Sequence, residues 1–188
     1  GDLYVTAAGE VVGDALAVSG ATTVNAGAND ISLNNASNDF IGAVTLTGNN
    51  VTLRDANALT LGASTVSGTL SVTAGGNVTQ TGALGVSGAT TVNAGVNYIT
   101  LDNAGNDFTG SVSLTGNNVT LRDTNALALG ASIIGGDLTI TAAGNVTQTG
   151  ALAVTGATTV NAGGNDIILN NTGNDFSGPV NLTGNNVT

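Results

Sequence analysis

Apolar and polar residues alternate along short stretches of this chain. Residues 137–156 show the pattern: DLTITAAG, then NVTQTG, then ALAVTG. Leu138 and Ile140 fall on one side and Thr139 and Thr141 on the other, because successive side chains of a strand face opposite ways. Gly and Asn between the stretches provide the tight bends. Residues 157–184 repeat the scheme as ATTVNAG, GNDIILNNTGNDFSG and PVNLTG, and residues 117–136 as NNVTLRDTN, ALALGAS and IIGG. Each unit therefore predicts three short strands joined by turns.

The units recur at fixed spacing. The string ATTVNAG starts at Ala21, Ala89 and Ala157, a constant 68-residue step, and Phe40, Phe108 and Phe176 keep that step. The chain holds about 2.75 copies, framed as 1–68, 69–136 and 137–188. Glycines that close strands stand at 20, 48, 68, 88, 116, 136, 156 and 184, which divides each copy in a 20/28/20 pattern. Three strands per unit of about 20 residues predict a parallel β-helix, a triangular solenoid in which each coil stacks on the last. The regular glycine punctuation argues against a β-sandwich. The general rule for parallel crossovers predicts a right-handed coil. Eight whole coils over 1–184, with the start of a ninth, would make a rod about 40 Å long at roughly 4.8 Å per coil.

Composition narrows the function. Hydrophobic residues make up 41% of the chain but charged residues only 7% and aromatics 3%. Val, Ile and Thr suit strands, and disorder would need low hydrophobicity with high charge. There is no Cys and no His, which removes disulfides, thiol nucleophiles and the commonest general base and metal ligand. Two Arg and no Lys face twelve acidic residues, a net charge of −10. That balance excludes phosphate-backbone recognition and anionic membrane surfaces. No apolar run approaches the ~18 residues of a membrane span, so no membrane insertion is expected. The chain reads as a fragment of a longer one, because its first residues lack the basic start of a signal peptide. Unpaired strand edges at the two ends predict end-to-end self-association.

The strings GNNVTLRD (Gly48–Asp55 and Gly116–Asp123), LTITAAGNVTQTG (Leu138–Gly150) and GALAVTGATTVNAG (Gly150–Gly163) resemble the repeat region of filamentous haemagglutinin-type adhesins, the exoproteins of two-partner secretion. The resemblance covers essentially the whole chain. It implies a right-handed β-helix, a secreted or bacterial cell-surface location, export through an outer-membrane transporter, and a role in attachment to a host-cell glycan or protein receptor. Alternatives are a pure spacer stick of a contact-dependent toxin exoprotein, and an ice-binding β-solenoid built on the outward Thr positions.

Candidate sites are few. The 28-residue units carry the extra segments NNASNDFIG (34–42), NAGNDFTG (103–110) and NTGNDFSG (171–178). Their residues Asn38, Asp39, Phe40, Asn106, Asp107, Phe108, Asn174, Asp175 and Phe176 are the candidate partner-binding loops. The calcium-binding nonapeptide is absent, so the loops read as Asx-rich turns bulging from one corner, with the Phe rings covering apolar surface. No metal and no cofactor is expected. Asp39, Asp107 and Asp175 would form a ladder with rungs about 14 Å apart, beyond the roughly 5–9.5 Å of glycosidase carboxylates, and no enzyme activity is expected. Asp30 and Asp166 lie near that ladder in sequence, with Tyr98 at the middle position. Arg54–Asp55 and Arg122–Asp123 read as surface or corner ion pairs worth about 0–1 kcal/mol. Five N-V-T sequences, at Asn50, Asn77, Asn118, Asn145 and Asn186, read as strand openings at corners.

Overall fold

A computed structural model describes residues 1–188. The chain is all β: 26 short strands, every pairing parallel, stacked into about nine coils of about 20 residues. The alternation sets each strand's faces. In Leu70–Ala74 the side chains of Leu70, Val72 and Ala74 are buried, and Ser71 and Thr73 face outward. The strand lies on Val51–Asp55 of the coil before it and under Thr90–Asn93 of the coil after it, with Leu70 opposite Val51 and Thr90. Forty buried apolar residues form one continuous core down the axis. Parallel strands are joined here by corners of a few residues, so coil length is set by three strands and three bends.

Two kinds of glycine shape the corners. Gly27, Gly95 and Gly163 have φ of 58°, 60° and 58°, a left-handed bend that glycine adopts without steric cost. In each, the amide N–H donates to the side chain of Asn25, Asn93 or Asn161 at 2.9 Å, closing the turn. Gly68, Gly88 and Gly110 stack where corner backbones approach too closely for a side chain. A Cβ on Gly88 would collide with the carbonyl of Gly68, and one on Gly110 with that of Gly88. Four of the five N-V-T asparagines, Asn50, Asn77, Asn118 and Asn145, accept from a main-chain amide at the corner of the next coil. Asn118 accepts from Asp137 N at 2.9 Å, and Asn77 from Tyr98 N at 3.0 Å.

The 28-residue unit is not a coil. Gly88 lies beneath Gly110 and not beneath Gly116. The remainder of the interval is the strand Ser111–Gly116, which belongs to the next coil. Coil length is uneven, because Val112 sits opposite Leu129 above it and opposite the more distant Thr90 below it. The 68-residue repeat is therefore not three whole coils. From Val51 the column climbs through Leu70 and Thr90 to Val112. The repeat mate of Val51 is Val119, which follows Val112 in the chain and stands on the next face. Each repeat advances three coils and about a third, so successive copies of any residue point about a third of a turn apart.

Thr22, Thr90 and Thr158 face inward in aliphatic columns, between Leu3 and Val44, Leu70 and Val112, and Leu138 and Val180. All three are buried and their hydroxyls have no hydrogen-bond partner. A buried orphan polar group costs about 1–3 kcal/mol, whereas an apolar isostere does not. Thr90→Val should therefore raise stability by about 1 kcal/mol, measured as a higher urea midpoint at unchanged slope.

Candidate functional site

The buried polar residues mark where the fold does something other than stack. Apart from the three threonines, the set is Asn38, Asp55 and Ser64, then Asn106, Asp123 and Ser132. They gather around one feature in each repeat, the point where a face of the triangle ends and a new corner opens.

The ending face is the two-residue strand Asp39–Phe40, Asp107–Phe108 or Asp175–Phe176. Each pairs with the coil before it, Phe108 opposite Val86 for example, and with no strand after it. The strand that follows is long, Val44–Gly48 or Ser111–Gly116, and it pairs with two strands of the next coil. Val44 lies opposite Leu61 and Thr47 opposite Thr65; Val112 lies opposite Leu129 and Thr115 opposite Ile133. Between those two strands sits a new corner, Gly62-Ala63 or Gly130-Ala131. A Cβ at Gly62 would strike the Thr45 hydroxyl, and one at Gly130 the Ser113 hydroxyl. Side-chain hydroxyls supply the backbone acceptors lost at the corner: Leu46 N donates to Ser64 Oγ and Leu114 N to Ser132 Oγ, both at 3.0 Å.

Two carboxylates cap the ended faces. Alternation in VTLRD places the Asp on the same side as Val and Leu, and Arg on the other. Asp55 accepts from Phe40 N at 3.3 Å and Asn57 N at 3.0 Å; Asp123 accepts from Phe108 N and Asn125 N, both at 3.4 Å. The expected Arg54–Asp55 and Arg122–Asp123 ion pairs do not form, because each Arg is exposed while its neighbour is buried. Burial pushes both carboxyls up from their ordinary range, against the pull of the amides. Asp30 and Asp166 behave oppositely: the backbone amides of Asn50 and Asn186, with neighbouring Asn side chains, hold them low.

The candidate loops are internal fasteners for most of their atoms. Asn38, Asn106, Phe40 and Phe108 are buried, Asn174 and Phe176 half-buried. Each Asn accepts from a leucine amide, Leu16, Leu84 or Leu152, at 2.9–3.0 Å. Each donates to a leucine carbonyl, Leu33, Leu101 or Leu169, at 2.9–3.1 Å. In the second and third copies a glutamine closes the set. Gln80 exchanges two bonds of 2.8 Å with Asn106, and Gln148 bonds of 2.8 and 2.9 Å with Asn174. The first copy has Val12 at that place. Asp39, Asp107 and Asp175 keep surface exposure, but they form no ladder. They belong to three different sheets, as the third-of-a-turn step requires.

Outside these switches the surface offers one open groove, of about 390 Å³, between the glycine corners at 95, 116 and 135, with Val96 and Ile133 as its apolar lining and no charged residue. Sequence reasoning missed Ser64 and Ser132, and it placed Asp55 and Asp123 in surface ion pairs where the structure buries them. The inward phase of D in VTLRD was the available signal for the two aspartates.

Fold and switch together define a repetitive β-solenoid rod. Comparison with curated proteins and with solved structures finds no match. The chain belongs to the family described as repeats of unknown function (DUF5649), whose profile matches residues 1–47, 48–115 and 116–183. The second and third of those segments have the 68-residue length, and all three are framed differently from a division at 69 and 137.

Proposed function

We propose that this chain is a segment of the shaft of a large secreted bacterial surface adhesin, a structural rod that mediates or presents attachment to host cells or surfaces. What carries the reading is the continuous core of 40 apolar residues running along the axis from Val18 to Ile167. Such a build gives length and stiffness, and it extends by adding repeats. The resemblance of GNNVTLRD and LTITAAGNVTQTG to haemagglutinin-type repeats supports export through an outer-membrane transporter and a surface location. The acidic surface supports a partner other than nucleic acid, namely a glycan or protein receptor. No enzyme activity is proposed.

The pure spacer is the second reading, and the inward-turned loops favour it. Ice binding is disfavoured by a specific observation. The outward column Thr60, Thr79, Thr100, Thr120, Thr139 and Thr159 runs for six coils, but the outward positions beside it carry the charged Asp102 and Arg122. Those charges break the flat hydroxyl array that matching to ice needs.

The test is binding of the purified, labelled chain to a glycan array and to epithelial cells. Saturable binding places adhesive surface within the shaft. Its absence on both reassigns this stretch to spacer, and thermal hysteresis in solution would overturn both in favour of ice.

A further inference from the structure

Asp55 and Asp123 are 2% and 1% exposed. They sit over the last strand of an ended face and are held only by main-chain amides at 3.0–3.4 Å. One oxygen of Asp123, Oδ2, is buried with no partner. No cation approaches either group. The charged residue acting on Asp55 is Asp39, and on Asp123 it is Asp107, both of the same sign. The following coil places Ala74 opposite Asp55 and Ala142 opposite Asp123. Arg54 and Arg122 project from the other side of their strands into solvent. A buried ionised carboxylate with no counter-charge is costly, and the usual relief is protonation.

We propose that Asp55 and Asp123 make each face switch an acid-tightened joint: with the proton on, the carboxyl sits at rest over the ended strand, and with the proton off, it loosens the contact between the coils on either side. The device occurs at both complete switches of the chain, and in each the group it holds is the amide of the buried Phe. These joints are firmest in acid surroundings and yield as pH rises.

The direction follows from linkage. The folded state favours the proton on these two groups more than the unfolded state does, so their contribution is fullest below the ordinary value of 3.8 and is lost as pH climbs above it through the raised value. The folded-to-unfolded ratio then falls by up to about tenfold per carboxyl for each pH unit in that window. Asp30 and Asp166 act in the opposite sense, losing their contribution as pH falls through their lowered values. They are unchanged in the comparison below and cancel.

The experiment compares urea unfolding of the wild-type chain and the Asp55→Asn, Asp123→Asn double variant from pH 3.5 to 7.5. The variant should match the wild type at the acid end and unfold at higher urea at pH 7.5. A variant no more resistant than wild type at pH 7.5 would overturn the proposal, since the ionised carboxylates would then be useful partners. Should the variant fail to fold, carbon NMR titration of the wild-type aspartates decides. Midpoints for Asp55 and Asp123 above those of the other aspartates support the joint; midpoints at or below them refute it.

Discussion

Phe108→Ala should cost this rod about 3–5 kcal/mol, the range for deleting a fully buried aromatic ring. Phe108 is 0% exposed and stands on the two-residue strand opposite Val86, at the point where one face of the triangle ends. Nothing lies ready to fill the space, because the neighbouring corners are fixed by glycines in backbone contact. Phe40 occupies the same place in the first switch and is equally buried, so Phe40→Ala should lose a similar amount. Solenoid coils contact only their neighbours, and the loss should therefore appear as local opening. Hydrogen exchange would speed up over residues 84–114 in Phe108→Ala while the first coils stay protected. Uniform acceleration along the chain would mean that the rod unfolds as one block.

Asn106→Ala should be the other severe change, at about 3 kcal/mol, because truncation leaves several buried groups unpaired at about 1–3 kcal/mol each. The Asn106 amide serves Leu84 N, Leu101 O and both ends of the Gln80 side chain. The first copy provides an internal control. Asn38 makes the two leucine bonds but has no glutamine, since Val12 stands in its place. Asn38→Ala should therefore cost less than Asn106→Ala. The Gln80–Asn106 pair can be isolated by a double-mutant cycle in urea, where a coupling near zero would show the glutamine to be a bystander.

The solenoid was legible in the sequence because its two strongest signals are local. Alternation such as Leu138-Thr139-Ile140 fixes the strands, and paired Gly and Asn fix the bends. The register was not legible, for a physical reason. Glycines that close strands and glycines that lie over one another in the stack overlap without being the same set. Gly116 closes a strand and looks like the successor of Gly88, whereas the residue over Gly88 is Gly110. A count that assumes whole coils absorbs the surplus of each repeat into a bulge. That error made the Asx turns at 34–42, 103–110 and 171–178 into bulges from one corner. Each is an Asx turn, closed by Asn35, Asn103 or Asn171, that leads into the two-residue strand of an ending face, with the next Asn and the Phe turned in and the Asp left outside.

The same surplus explains why the buried polar residues were hard to see. In a straight stack, an inward Asp after Leu53 or a Ser after Gly62 has no purpose, and an ion pair with Arg54 is the natural reading. In a stack that changes faces, an amide at Phe40 and another at Leu46 lose their partners. Asp55 and Ser64 are the side chains that replace them. The step also bears on the proposed shaft. Whatever a repeat displays is presented in turn to three directions, so a partner reading one loop per repeat meets it around the rod and not along one line.

The step of a third of a turn per repeat is the claim most directly open to measurement. The chain has no cysteine, so pairs of cysteines can carry spin labels without interference. Labels at Thr52 and Ser113 share a column three coils apart, about 14 Å along the axis. Labels at Thr52 and its repeat mate Thr120 lie on different faces. Pulsed electron resonance should give the longer distance for Thr52 with Thr120. A shorter distance for that pair would mean that repeats stack in whole coils, and would contradict the face switch on which this account rests.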